Sequence, residues 1–205
     1  MRSFAVALAF AFAASSAFAT TKGLNQIVTP DLQPPGQLSI SYQQVDPTIG
    51  DPSEVQLELG LTKRAEVAVF QGLDPNQTFL AAEFGLIDHD PYLLSAGFTN
   101  WSTGNLGHTN PQPFLIGGLY RGPNKYIAGW ARVGAENELL LGYAWQATPR
   151  VLLAADYQSG SGNSLTGGFT YAITPNLSLN PALYLTNDDH TLHGYAVLSW
   201  TIKAF

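Results

Sequence analysis

The sequence predicts an all-β chain closed into an antiparallel up-and-down barrel whose strands cross a membrane. Three observations predict it. First, one hairpin recurs: residues 142–157 and 168–184 each read as an alternating run, a Thr-Pro-x turn and a second alternating run, and residues 57–70 repeat the pattern with Lys in place of Pro. Second, the turns are evenly spaced. Thr148 and Thr174 lie about 26 positions apart, and similar steps lead back through Gly122-Pro123, Asp88-His89-Asp90-Pro91 and Thr62 to Pro35-Gly36. Six hairpins, or about twelve strands, fit between Gln37 and Phe205, with ten and fourteen as alternatives. Third, the composition is unusual. Of 205 residues 12% are charged, 20 are Gly and 9 are Tyr, and the net charge is −6. Soluble domains carry about twice that charged fraction, whereas a barrel with lipid outside and a polar interior needs few charges. Composition alone leaves a soluble β-sandwich open.

Residues 1–19 have the form of a signal peptide. Arg2 supplies the positive start, residues 5–14 form a short apolar stretch, and Ala17-Phe18-Ala19 fits a cleavage site, so the mature chain is expected to begin at Thr20. That stretch is too short to span a bilayer, and no later run is long enough for a transmembrane helix. Any span must therefore be made of strands. The absence of Cys removes disulfide and zinc–thiolate chemistry. Residues 20–36 read as an extended periplasmic leader, because Pro30, Pro34 and Pro35 block regular structure. Tucking into the barrel lumen is its other option.

The barrel is expected over 37–205. Leu38, Ile40 and Tyr42 alternate with Ser39, Ser41 and Gln43; Val55, Leu57 and Leu59 with Glu54, Gln56 and Glu58; Val67 and Val69 with Glu66 and Ala68; Leu80, Ala82 and Phe84 with Ala81 and Glu83. Runs of about nine residues suit a tilted membrane strand. Segments 92–100 and 113–121 are apolar on both faces in places, so their faces stay ambiguous. The last four strands alternate most clearly, and Pro181 inside one of them argues for a bulge or an interrupted ladder. If the N-terminus is periplasmic, loops 46–52, 74–77, 101–111, 135–137, 159–163 and 187–191 are external. They hold acids and no Lys or Arg, while Lys63, Arg64, Lys125 and Arg150 fall on the periplasmic side. Trp145, Tyr171 and Trp200 near one rim, with Tyr42 and Tyr157 near the other, form aromatic girdles.

On these features the chain resembles the outer-membrane β-barrels of diderm bacteria and, loosely, small porin-like transporters. The features are the export signal, the paired-strand period and a final amphipathic strand ending in Phe205. The resemblance implies a place in the outer membrane and barrel-assembly machinery as the biogenesis partner, which reads a C-terminal aromatic; Trp200, Ile202 and Phe205 would carry that signal. Phe205 is out of phase with Trp200 and Ile202.

An ionisable side chain facing lipid costs about 2–4 kcal/mol at mid-depth for Arg or Lys, so charges should face inward. The pore-lining candidates are Glu54, Glu58, Glu66, Glu83, Arg121, Arg132, Glu138, Asp156 and Lys203. They would line a passage for small solutes or ions, or a salt-bridged lumen that conducts nothing. No cofactor is expected. His190 and His193 beside Asp188 and Asp189 are a weak metal-ligand set. A closed structural or adhesive barrel is the alternative function. A lipid hydrolase is the third, with His108 or His193 as base, but no local motif ties a nucleophile to either. The acidic balance and the absence of a phosphate loop argue against nucleic acid.

Overall fold

The computed structural model describes residues 23–49, 52–74, 76–102 and 111–205. The signal-peptide segment, Asp51 and His108 lie outside them. Twelve strands form one closed sheet in which each pairs antiparallel with its sequence neighbours. They are β1 Gln37–Val45, β2 Ser53–Thr62, β3 Ala65–Leu73, β4 Asn76–His89, β5 Tyr92–Trp101 and β6 Gln112–Arg121. The second half follows as β7 Asn124–Val133, β8 Glu136–Thr148, β9 Val151–Gln158, β10 Ser164–Thr174, β11 Leu177–Thr186 and β12 Leu192–Lys203. β12 closes onto β1 in unbroken register from Gln37 opposite Lys203 to Val45 opposite Tyr195. Closure leaves no strand edge, which is what a sheet in lipid requires.

Two-residue turns at 63–64, 90–91, 122–123, 149–150 and 175–176 gather at one end, with Gly36 and Phe205; we call it the short-turn end. The β1–β2, β5–β6, β9–β10 and β11–β12 connections leave the strands at the other end, which we call the loop end. In the hairpin turns Gly122 (φ 56°) and Gly134 (φ 60°) hold left-handed backbone that side chains rarely tolerate. The expected break at Pro181 is an interruption without a bulge. β10–β11 pairing skips from Gly168–Ala182 to Tyr171–Leu179 in constant register, while Pro181 still lies opposite Ala196 of β12. Proline has no N–H to give β10, and its outward position keeps the ring out of the lumen.

Period-2 alternation sorts the residues. Outward positions hold Leu57, Phe84, Leu115, Leu141, Leu153, Phe169, Leu183 and Leu198, all exposed. A continuous apolar belt of this kind marks a lipid-facing surface. Among the described residues no helix is long and apolar enough to cross a membrane.

Candidate functional site: a lumen occupied by the chain's own leader

Residues 23–35 run inside the barrel. The leader enters at the short-turn end beside β1–β3, where Gln33 N–H donates to Glu66 Oε2 of β3 (2.6 Å) and Gln33 Nε2 donates to Ser39 Oγ of β1 (2.5 Å). It crosses to β6 and β7, where Asp31 takes the Tyr120 hydroxyl (2.5 Å) and pairs with Lys125 (3.1 Å). Lys125 Nζ also lies 4.7 Å from the centre of the Tyr120 ring. Burial raises the Asp31 carboxyl, but the Lys125 ammonium and the Tyr120 hydroxyl outweigh it and bring it down to about 2. The leader then climbs to β9–β11. Asn25 and Gln26 N–H groups both donate to Asp156 (2.8 and 3.2 Å), Asn25 Nδ2 donates to Thr166 Oγ1 (3.1 Å), and the Tyr184 hydroxyl donates to the Asn25 carbonyl. Backbone with no partner strand needs its N–H groups satisfied; Leu24 N–H bonds to the Ile27 carbonyl (3.0 Å), and two wall carboxylates take others towards either end of the segment.

The apolar contacts lie on another side. Leu24 and Ile27 are buried in one cluster with Phe114, Ile116, Ile127, Leu140, Ala144 and Leu152 from β6–β9. Where the leader passes, the wall has glycine. A Cβ on Gly142 would stand 2.6 Å from Leu24 Cδ1, one on Gly168 would stand 2.8 Å from Asn25 Oδ1, and Gly60, Gly85 and Gly118 face Pro34, Leu32 and Pro30. These strand glycines are explained by close approach rather than by turns. With Leu24 and Ile27 in a Pro-bounded leader they are the one faint signal of docking in the sequence, because they resemble ordinary strand glycines. Asn25, Gln26, Gln33, Tyr184 and the leader-bonding role of Ser39 escaped sequence reasoning.

All six acids among the pore-lining candidates face inward and are buried: Glu54, Glu58, Glu66, Glu83, Glu138 and Asp156. Glu66 lies directly across the ladder from Glu83. With Glu58 they surround a gap of about 30 Å³ beside Val28, room for about one water. Glu138 accepts from Gln158 (2.6 Å) and Glu54 from Gln56 (2.7 Å). The cations are placed differently. Arg121 and Arg132 sit on outward positions, in step with Leu119 and Trp130, at the ends of β6 and β7. Arg132 Nε donates to the Gly134 carbonyl (3.3 Å). The inward positions there belong to Phe114, Ile116, Ile127 and Ala131, because the leader's Leu24 and Ile27 pack on them. At a rim an outward guanidinium reaches water, so the mid-depth penalty does not apply. Lys203 is inward by parity but exposed at the short-turn mouth.

The histidine–aspartate set is not brought together. His193 is buried, 2.9 Å from Thr48 Oγ1 and 3.3 Å from Asp46 Oδ2. The Thr48 backbone N–H and hydroxyl, joined by His193, hold the Asp46 carboxyl down at about 2. Asp188 accepts from Gly162 N–H (2.8 Å). Asp189 caps the Thr186–Thr191 turn, and those hydrogen bonds hold its carboxyl at about 2. His190 stands in left-handed backbone at the turn (φ 55°). No group of three metal-ligating side chains occurs among the described residues. Trp200 and Ile202 share the outward face of β12, and Phe205 is exposed just beyond it, with Ala204 N–H bonded to the Gly36 carbonyl (2.6 Å).

Two cavities flank the leader. One of about 380 Å³ opens at the loop end, with residues 23–28 as its floor. The other, about 250 Å³, lies at the short-turn end against residues 30–35.

No protein-family model and no curated protein matches the chain. Among solved structures it is similar to the KdgM porin, with a TM-score of 0.55 and 12% identity, over 80% of this chain and 97% of that one. A second structure, the KdgM porin in complex with disordered oligogalacturonate, gives a TM-score of 0.55 at 11% identity over 80% and 98%. A Rhodopseudomonas blastica porin mutant reaches a TM-score of 0.45 at 11% identity, over 73% of this chain and 55% of its own. At such low identity the likeness concerns architecture, and the architecture is that of a closed, porin-like barrel.

Proposed function

We propose that this protein resides in the outer membrane of a diderm bacterium, passes small solutes or ions, and holds its own leader in the lumen as a plug. The observation that carries this reading is a closed twelve-stranded barrel, apolar outside, whose polar interior is crossed by residues 23–35 rather than packed solid. Among the described residues, cavities lie on both sides of the leader. The inward acids favour cations and neutral solutes over anions. That sets this chain apart from the KdgM porin, whose structure with oligogalacturonate contains a polyanion.

The occupied lumen also favours a second reading, a permanently closed structural barrel. A hydrolase is weaker: His193 is already engaged by Thr48 and Asp46 through the same ring nitrogen, and no serine among the described residues bonds to it. Planar-bilayer recording separates the first two. The passage reading expects discrete conductance steps, cation over anion, with selectivity falling in Glu58→Gln/Glu83→Gln. Folded, inserted barrels that stay silent both with and without residues 20–35 would overturn it.

A further inference from the structure

We propose that the outer face of β6–β9 at the short-turn rim is a binding site for an anionic glycerophospholipid. This goes beyond the passage reading and takes from it only the membrane around the barrel. Arg121 ends β6 and Arg150 stands in the β8–β9 turn, both exposed. Neither guanidinium is paired among the described residues. The Arg121 carbonyl accepts from Asn124 Nδ2 (3.4 Å) and the Arg150 N–H donates to Thr148 Oγ1 (3.2 Å), so both backbones are held while both charges stay open. The two turns are neighbours on the rim, two strand spacings or about 10 Å apart. Asn124 and Trp145 lie between the arginines, in register with each other. A planar guanidinium takes a phosphate through two parallel N–H bonds, and two such side chains can bracket one headgroup.

Charge singles out this sector of the rim. Residues 119–126 and 143–153 contain no Asp or Glu. Lys125, also within them, is taken by Asp31 of the leader. The other open pair of cations, Lys63 and Arg64, occupies the β2–β3 turn, and the next turn round the rim carries Asp88 and Asp90. A headgroup of net negative charge therefore fits β6–β9, whereas a zwitterionic one brings its own cation against the arginines. The apolar surface beside them makes the occupant a lipid rather than a soluble phosphate ester. Tyr126 and Tyr143 face each other across β7 and β8 with ring centres 5.3 Å apart, and the Tyr143 hydroxyl donates to Asn124 Oδ1 (2.7 Å). One row deeper, Gly117 lies opposite Ala128, so the surface is shallower there, between Leu119 and Tyr126 on one side and Leu115 and Trp130 on the other. Rings with polar tips at the rim and an apolar depression below them suit a glycerol backbone and its acyl chains.

The test is native mass spectrometry of the folded, detergent-solubilised full chain with added dioleoylphosphatidylglycerol, and in parallel with dioleoylphosphatidylcholine and with lipid A. Phosphatidylglycerol should bind about tenfold tighter than phosphatidylcholine. Arg121→Gln/Arg150→Gln should close that gap and leave phosphatidylcholine binding as it is, with heat-modifiable gel mobility retained; if the double variant does not fold, Arg121→Gln alone should narrow the gap. Lys63→Gln/Arg64→Gln removes the same charge from the same rim and should leave the gap intact. Equal binding of the two phospholipids, a gap that survives in folded arginine variants, an equal loss in Lys63→Gln/Arg64→Gln, or tighter binding of lipid A than of phosphatidylglycerol would each overturn the site. Binding needs no current, so the two readings fail separately. A silent barrel that selects phosphatidylglycerol ends the passage reading, and a conducting barrel that selects neither phospholipid ends the site.

Discussion

The two halves of the lumen wall are built on opposite principles, and the leader touches both. On β6–β9 the inner face is Phe114, Ile116, Ile127, Leu140 and Ala144, and it takes Leu24 and Ile27. On β10–β12 and β1 it is Thr166, Thr170, Ser178, Ser199, Thr201, Ser39 and Ser41, with cross-strand hydroxyl pairs at Ser41–Ser199 (2.8 Å) and Ser39–Thr201 (3.2 Å). The apolar half holds the leader by area. Carboxylates hold it through backbone N–H groups, at Asp156 on β9 beside the apolar cluster and at Glu66 on β3. An apolar inner wall makes little sense in a water-filled passage and good sense against a permanent apolar partner. The difference therefore teaches that the barrel sequence is adapted to the leader, not merely tolerant of it.

Deleting residues 20–35 breaks the comparison outright and should have the largest effect. The apolar wall would then face water, whereas the polar wall would lose only its hydrogen bonds with the leader at Thr166, Tyr184 and Ser39. Hydrogen exchange should accelerate in β6–β9 well beyond β10–β12, and bilayer conductance should rise sharply. Equal loosening on both sides would mean that the leader does not stabilise the apolar wall selectively. Next in size is Ile27→Ala. Removing a fully packed Ile costs about 2–5 kcal/mol, so the leader should open locally, read as faster exchange at the Asn25, Gln26 and Gln33 amides. Unchanged protection there would remove area as the anchor.

Smaller, and more selective, are the carboxylate anchors. Asp156→Asn keeps the shape but loses the charge behind two N–H bonds, about 1–3 kcal/mol of docking. Exchange should rise at Asn25 and Gln26 more than at Gln33; Glu66→Gln should do the reverse. If both variants loosen the whole segment equally, the leader opens as one unit and the two anchors are not separable.

Most of the fold was legible in the sequence because lipid imposes it. Apolar residues at every second position, two-residue turns and an even strand count gave β1–β4 and β9–β12 with their faces. The site was legible only where the lumen is polar. The inward acids follow from their alternation with Leu57, Leu59, Val67 and Leu153. Arg121 and Arg132 do not, because the alternation rule assumes a wet interior. On β6 and β7 the inner face is apolar because Leu24 and Ile27 pack on Phe114, Ile116 and Ile127, so both faces read as apolar and period 2 loses its contrast. Leader docking was hidden for another reason. Its strongest polar contacts are backbone N–H groups, which leave no residue signature, and the glycines that make room for it resemble ordinary strand glycines.

The smallest expected effect concerns the ion pair at the short-turn end. The Asp31 carboxyl lies at about 2, below its usual 3.8. A depressed carboxyl contributes stability that is fully present above the unfolded value and is lost as pH falls through the folded one. The Asp31 contribution to leader docking should therefore be constant from neutral pH to about 4 and weaken between about 4 and 2. Asp31 is 40% exposed, so solvent screening limits the effect to about 1 kcal/mol or less. In Lys125→Met the main attraction holding the carboxyl low is gone, so its folded value moves back towards the unfolded one and the loss between about 4 and 2 should shrink or vanish. Exchange at the Gln33 amide, two residues along, reads this directly. A pH profile identical in the parent and Lys125→Met would show that the pair does not hold the leader. The area on β6–β9 and the carboxylates at Asp156 and Glu66 would then be sufficient anchors on their own.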